Sequence, residues 1–139
     1  FLATLRAGAV PPAPTPLDFI LSRVQAAERA VALTRSAAAR VTRHLDEADA
    51  LLSDAEATSL VVRYYADKLQ AAALRAQAAA PGSTVAADAF LAPLEHSLAL
   101  FRQLADLTRG RYDSISDVPA TNPVRLKKVP YHWDDLVPR

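Results

Sequence analysis

Apolar residues recur at helical spacing through the first two thirds of the chain. Between Leu17 and Leu52 they follow one another mostly at intervals of three or four positions, with no Gly or Pro between them, and arginines take much of the opposite face. That period places the apolar side chains along one side of an α-helix. Thr15 and Pro16 suit its start, because a Thr side chain caps a first turn and Pro fits the first helical position. The pattern predicts a long amphipathic helix.

A first turn is expected after this helix, at Ser53 to Glu56. A hydroxyl followed three positions later by a carboxylate is the pattern of a capping box, which marks a helix start. Asp46 is a second candidate for the break. A second helix is then predicted to run up to Pro81-Gly82, a pair that stops helices.

A third helix is expected to follow with Ser83 or Thr84 as its cap and to end at Gly110. Pro93 lies inside its apolar pattern. Because Pro lacks an amide hydrogen and clashes with the preceding turn, a kink or a fresh start is predicted near Ala92.

These elements predict an all-α protein, an antiparallel bundle of three long helices, or four if the first breaks near Asp46. Residues 1–15 are expected to form an extended lead-in, because four prolines fall within AVPPAPTP. The bundle takes residues 16–110. Residues 111–139 contain four prolines but too many apolar residues for a disordered tail, so an ordered, mostly irregular C-terminal segment packed on the bundle is predicted.

Composition excludes several classes of function. The chain has no Cys, which excludes disulfides and thiolate chemistry, and its net charge of +1 is spread over mixed basic and acidic residues. A nucleic-acid partner is not expected, since such proteins concentrate Lys and Arg on one element. No apolar run is long enough for a membrane span, and the first residues lack the pattern of a signal peptide. Met is absent even at position 1, and we interpret the chain as a piece of a larger protein.

The histidines and paired carboxylates do not form a known catalytic or metal motif. His96 lacks the following Lys of phosphotransfer domains, and no Glu stands three residues before His44 or any other His, as di-metal bundles require. Asp134 and Asp135 are neighbours, whereas catalytic carboxylate pairs face each other from separate positions. We therefore expect no enzyme activity, no cofactor and no metal site.

The chain ends in VPYHWDDLVPR, which holds its only Trp. Aromatic rings stack on the apolar faces of sugars, and charged or amide side chains bond the hydroxyls. This segment therefore predicts either an anchor that docks the tail on the bundle or a glycan-binding surface. The candidate ligand-binding residues are Trp133, Tyr131, His132, Asp134, Arg125 and Asn122.

The stretches FRQLADLTRGRYDSISDVPA and KKVPYHWDDLVPR, after an Ala-rich helical region, resemble the helical accessory regions of large bacterial enzymes that act on polysaccharides. The likeness covers residues 85–139. It implies a secreted or periplasmic protein and a non-catalytic role: binding a polysaccharide or oligosaccharide, or supporting a parent catalytic domain.

The alternative is a helical protein–protein interaction or oligomerisation module. Long amphipathic helices pair with other helices when they carry a second apolar stripe. Tyr64 and Tyr65 are adjacent, so at most one of them faces the core squarely. A second stripe on the second helix is predicted to consist of Val61, Val62, Tyr65 and Leu69.

Overall fold

The computed structural model describes residues 1–109 and Arg111, and within them 73% of the residues are helical and none forms a strand. Four helices pack against each other. They are α1 (Leu2–Arg6), α2 (Pro16–Ala38), α3 (Leu45–Ala78) and α4 (Leu91–Thr108). The all-α prediction is confirmed for this part of the chain. The predicted packing of the C-terminal segment falls on residues outside it.

Helix α3 is the centre of the packing. In the described part of the chain, α1, α2 and α4 each pack along α3, and their backbones do not come close to one another. The buried residues of α3 are all small: Ser53, Ser59, Ala66, Ala71, Ala73 and Ala76. Small side chains let neighbouring backbones approach closely but remove little apolar area from water. The larger buried side chains therefore come from the neighbours of α3.

The α4 and α1 helices supply those larger side chains. Leu100 is the most deeply buried, at 1% exposure, and Leu104 lies on the same face of α4. On the other side, Leu5 of α1 packs against Ala73 and Ala76. The large buried side chains are thus few, and they come from the helices around α3.

The break between the first two long helices, α2 and α3, lies at residues 39–44. The turn predicted at Ser53 to Glu56 is wrong, since Ser53 is buried inside α3. Glu56 does not close a capping box; its carboxylate accepts a hydrogen bond from Arg35 of α2 at 2.7 Å. The second candidate, Asp46, is close to the true position, because α3 begins at Leu45.

The cap predicted at Ser83 or Thr84 is also wrong. Helix α4 begins at Leu91, and Ser83 instead accepts a hydrogen bond from the Val85 amide within the preceding loop. The fresh start predicted near Ala92 is confirmed. Pro93 then lies in the first turn of α4, where amide hydrogens have no helical partner and a missing one is tolerated.

The lead-in is only partly extended. Residues 1–15 were predicted to lack helix, yet Leu2–Arg6 forms α1. The prolines that prompted that prediction lie at positions 11, 12, 14 and 16, after this helix, so they do not interrupt it.

The start of α2 agrees with the sequence pattern. The Thr15 side chain accepts from the Asp18 amide at 3.1 Å, while the Asp18 carboxylate accepts from the Thr15 amide at 2.8 Å and the Thr15 hydroxyl at 2.7 Å. Both hydrogen bonds to the carboxylate lower the pKa of Asp18 below its usual value of 3.8, and the bond from the Thr15 amide contributes more than the bond from the Thr15 hydroxyl. The charged carboxylate therefore stabilises the folded chain.

We predict that Asp18→Asn destabilises the protein at neutral pH and that its difference from the wild type disappears in acid. A carboxyl group whose pKa is depressed by folding contributes stability above its unfolded value of 3.8 and loses it as the pH falls through the lower, folded value. Urea denaturation of both proteins over an acid-to-neutral series measures this. A difference that stays constant through the acid range would contradict the prediction.

Candidate interaction surface

The residues predicted to bind glycan lie outside the described part of the chain. They are Trp133, Tyr131, His132, Asp134, Arg125 and Asn122. Their arrangement stays a prediction.

His96 joins α4 to α3. Its Nδ1 lies 2.6 Å from the Oδ2 atom of Asp67, whose side chain is 18% exposed. The residues are 29 positions apart, so no local sequence pattern indicates this pair. His44, in contrast, lies 3.4 Å from Glu47 at the start of α3, with both side chains about three-quarters exposed. His96 therefore connects two helices, whereas the ion pair of His44 lies within the first turn of α3.

The two adjacent tyrosines divide between the interior and the surface, as predicted. The Tyr64 ring packs on Phe101 of α4 with centroids 5.4 Å apart, and its hydroxyl accepts a hydrogen bond from Lys68. Tyr65 is 57% exposed. Its ring meets Tyr64 edge-on at 5.0 Å and otherwise faces the side of α3 on which α2 begins.

The apolar stripe predicted on the second long helix is only partly exposed. Val61, Val62 and Leu69 are half-buried, and Tyr65 alone of the four is exposed. Tyr65 and Leu69 contribute to a groove between α3 and the start of α2, of about 840 Å³. We call it the α2–α3 groove; it is lined by Pro14, Thr15, Pro16, Asp18, Phe19, Ile20, Ser22, Tyr65 and Leu69.

The walls of the α2–α3 groove are mainly apolar, and one cation lies beside them. Phe19 is 58% exposed, and the guanidinium carbon of Arg23 lies 4.6 Å from the centre of its ring. The Asp18 carboxylate, also in the lining, is already held by Thr15. The groove therefore offers exposed aromatic rings, a hydrophobic wall from Ile20 and Leu69, and positive charge near Phe19.

A second exposed surface runs along α2. Helix α2 has 23 residues, and within the described structure none of them is buried. The half-buried side that contacts α3 includes Val24 and Val31. Beside it lies a line of exposed apolar residues, which at about 100° per residue fall within about 60° of one another. We call it the α2 stripe; it consists of Phe19, Ala26, Ala30, Leu33 and Ala37.

The spacing of the α2 stripe was not recognised in the sequence, although it is readable there. Its members are separated by seven, four, three and four positions, the spacing of a seam that packs against another helix. The apolar side that contacts α3 has almost the same spacing, so the sequence alone did not separate the two sides. Leu33, at 73% exposure, identifies the open one.

The residues that the structure describes contain neither a metal-ligand cluster nor a membrane-spanning helix. No group of three or more potential metal ligands occurs among them, and no helix there is long and apolar enough to cross a bilayer.

Neither protein-family models, nor curated proteins, nor solved structures match this chain. The resemblance to accessory regions of polysaccharide-active enzymes therefore stays a prediction.

We predict that Asp67 and His96 are energetically coupled and that His44 and Glu47 are not. Asp67 is mostly shielded from water and is held at hydrogen-bonding distance, so a double-mutant cycle of alanine variants should give about 0.5–1 kcal/mol. The exposed His44 and Glu47 pair, at 3.4 Å, should give about zero. Urea denaturation measures both cycles, and equal coupling energies would contradict the proposed link between α3 and α4.

Proposed function

We propose that the chain is a non-catalytic helical protein-interaction module, and that the α2 stripe is its contact surface. The observation that carries this proposal is the exposure of α2: a helix of 23 residues with no buried residue in the described structure and an open apolar side. Exposed apolar surface that runs the length of a helix is typical of a site that another helix covers.

The composition of the α2 stripe suits close helix pairing. Small side chains let a partner backbone approach closely at three positions, Ala26, Ala30 and Ala37. The larger side chains, Phe19 and Leu33, would carry most of the binding energy. A second copy of the chain is the simplest partner, because it brings an identical stripe. A parent catalytic domain with an exposed apolar helix is another.

The contacts of α2 and α4 with α3 support an antiparallel arrangement of these helices. Arg35, near the end of α2, reaches Glu56 in the first half of α3, whereas Phe19, near the start of α2, shares a groove with Tyr65. On the other side, Asp67 meets His96. Tyr64, three positions earlier in α3, meets Phe101, which comes later in α4. We infer that α2, α3 and α4 form an antiparallel bundle.

We predict that the protein self-associates at high concentration and that Leu33→Asp prevents this. A carboxylate in the middle of the α2 stripe would have to be desolvated in the dimer, so the dissociation constant should rise at least about tenfold, or ~1.4 kcal/mol. Sedimentation velocity over a concentration series measures it.

Leu21→Asp is the matched control, because Leu21 is an exposed leucine of the same helix, 45% exposed, but lies about 120° around the helix from Leu33. It should leave self-association unchanged. A wild-type chain that stays monomeric throughout, or a Leu21→Asp variant as impaired as Leu33→Asp, would argue against pairing through the α2 stripe.

Glycan binding is the second candidate function, and the composition of the C-terminal segment favours it. Tyr131 and Trp133 offer stacking surfaces, and Asp134, Arg125 and Asn122 offer hydrogen bonds to hydroxyls. In this function the chain is a non-catalytic accessory module of a polysaccharide-degrading enzyme, and its setting is secreted or periplasmic.

For this second candidate, Trp133→Ala is predicted to weaken binding to a responsive soluble polysaccharide by at least about tenfold, or ~1.4 kcal/mol, because the stacking surface is lost. The melting temperature should change little. Isothermal titration calorimetry against a polysaccharide panel and thermal denaturation measure the two effects. A variant that unfolds, or that binds as the wild type does, would contradict a glycan-binding Trp133.

A further inference from the structure

The α2–α3 groove has the size and chemistry of a site for an aromatic side chain. Its volume of about 840 Å³ is ample for an indole ring, and Phe19, Tyr65 and Leu69 contribute rings and an aliphatic wall. Phe19 and Tyr65 are each more than half exposed, although aromatic rings gain most from burial against one another. The groove is an open apolar site with cationic Arg23 beside Phe19.

The chain continues from a point within reach of this groove. Helix α4 ends at Thr108, and Leu107 shares a small cavity with Ser59 and Leu60 of α3. From Leu60 to Leu69, at the groove, α3 rises by roughly 14 Å. Residues 112 to 133 can span up to roughly 70 Å when extended. The only Trp of the chain is thus well within reach of the groove, with slack for an irregular path.

The acidic residues of the C-terminal segment complement the charge beside the groove. Asp134 and Asp135 directly follow Trp133, and the groove that Trp133 would reach has Arg23 at its edge. A segment with Trp133 in the groove would therefore bring opposite charges together there.

We propose that residues 129–139 of this chain occupy the α2–α3 groove, with Trp133 between Phe19 and Tyr65 and with Asp134 and Asp135 facing Arg23. The segment is then an internal ligand that covers the groove in the free protein. The proposal is independent of pairing through Leu33, and it is opposed to glycan stacking on Trp133, since one indole cannot be buried in the groove and exposed to a sugar.

Fluorescence of the single Trp tests the proposal directly on the full chain. In the wild type we expect a blue-shifted emission that acrylamide quenches poorly, at any protein concentration. Tyr65→Asp and Phe19→Asp place a carboxylate in the groove, so each should shift the emission to the red and raise the quenching constant several-fold. Far-UV circular dichroism of each variant checks that the helices remain.

Two control variants separate the groove from the rest of α2. Leu21→Asp and Leu33→Asp alter exposed leucines of the same helix outside the groove lining, and both should leave Trp133 protected. A charge swap tests the pairing: Arg23→Glu should raise quenching, and adding Asp134→Lys and Asp135→Lys to it should restore protection. Failure of that swap to restore protection would overturn the assigned contact with Arg23.

Other results would overturn the proposal as a whole. A Trp133 that is readily quenched in the wild type, with an emission that shifts only on adding a soluble polysaccharide, would be a glycan-binding residue. Protection that the groove variants do not remove would place Trp133 elsewhere on the protein. Protection that appears only as the concentration rises would assign the groove to the tail of a second copy.

Discussion

The small side chains that α3 presents to its neighbours determine how closely the helices approach and how much apolar surface they bury. In the described structure the other helices all pack along α3, and its buried positions are alanines and serines. Such a surface lets helices approach closely but yields little hydrophobic free energy per residue. The deeply buried leucines of α4 and Leu5 of α1 supply much of what is missing. Helix α2 brings no buried side chain, so its attachment depends on half-buried residues and the hydrogen bond between Arg35 and Glu56.

This weak burial of α2 explains why both candidate surfaces involve the same helix. A helix whose apolar residues exceed what α3 can cover leaves the remainder in water, at the α2 stripe and in the α2–α3 groove. The two surfaces meet at Phe19. One occupant cannot satisfy both, because the groove takes a short segment with a large ring, whereas the α2 stripe takes a helix. Because Phe19 belongs to both surfaces, a change there affects both, whereas a change at Leu33 acts on the α2 stripe alone and a change at Tyr65 acts on the groove alone.

Signals from neighbouring residues located two helix ends correctly and misplaced a third. The cap at Thr15 and Asp18 depends on residues three positions apart, and the stop at Pro81-Gly82 depends on the residues themselves. The signal at Ser53 and Glu56 was equally local but failed, because a helix that already continues through Ser53 needs no cap, and Arg35 from α2 takes the Glu56 carboxylate. The true break lies between Arg35 in the last turn of α2 and Asp46 and Glu47 in the first turn of α3, a charge distribution that agrees with the helix dipole.

The sequence by itself determined the helical class, the start of α2 and the division of the tyrosine pair into an inner and an outer ring. Each follows from period, capping or the angle between neighbouring residues, which are properties of a single helix. Only the tertiary structure decided which apolar side of α2 stays open and that Asp67 meets His96, 29 positions away. The contact between Asp67 and His96 depends on how α3 and α4 pack. The open side of α2 depends on how much of α2 its neighbour can cover, and α3, with its small buried residues, is too narrow to cover all of it.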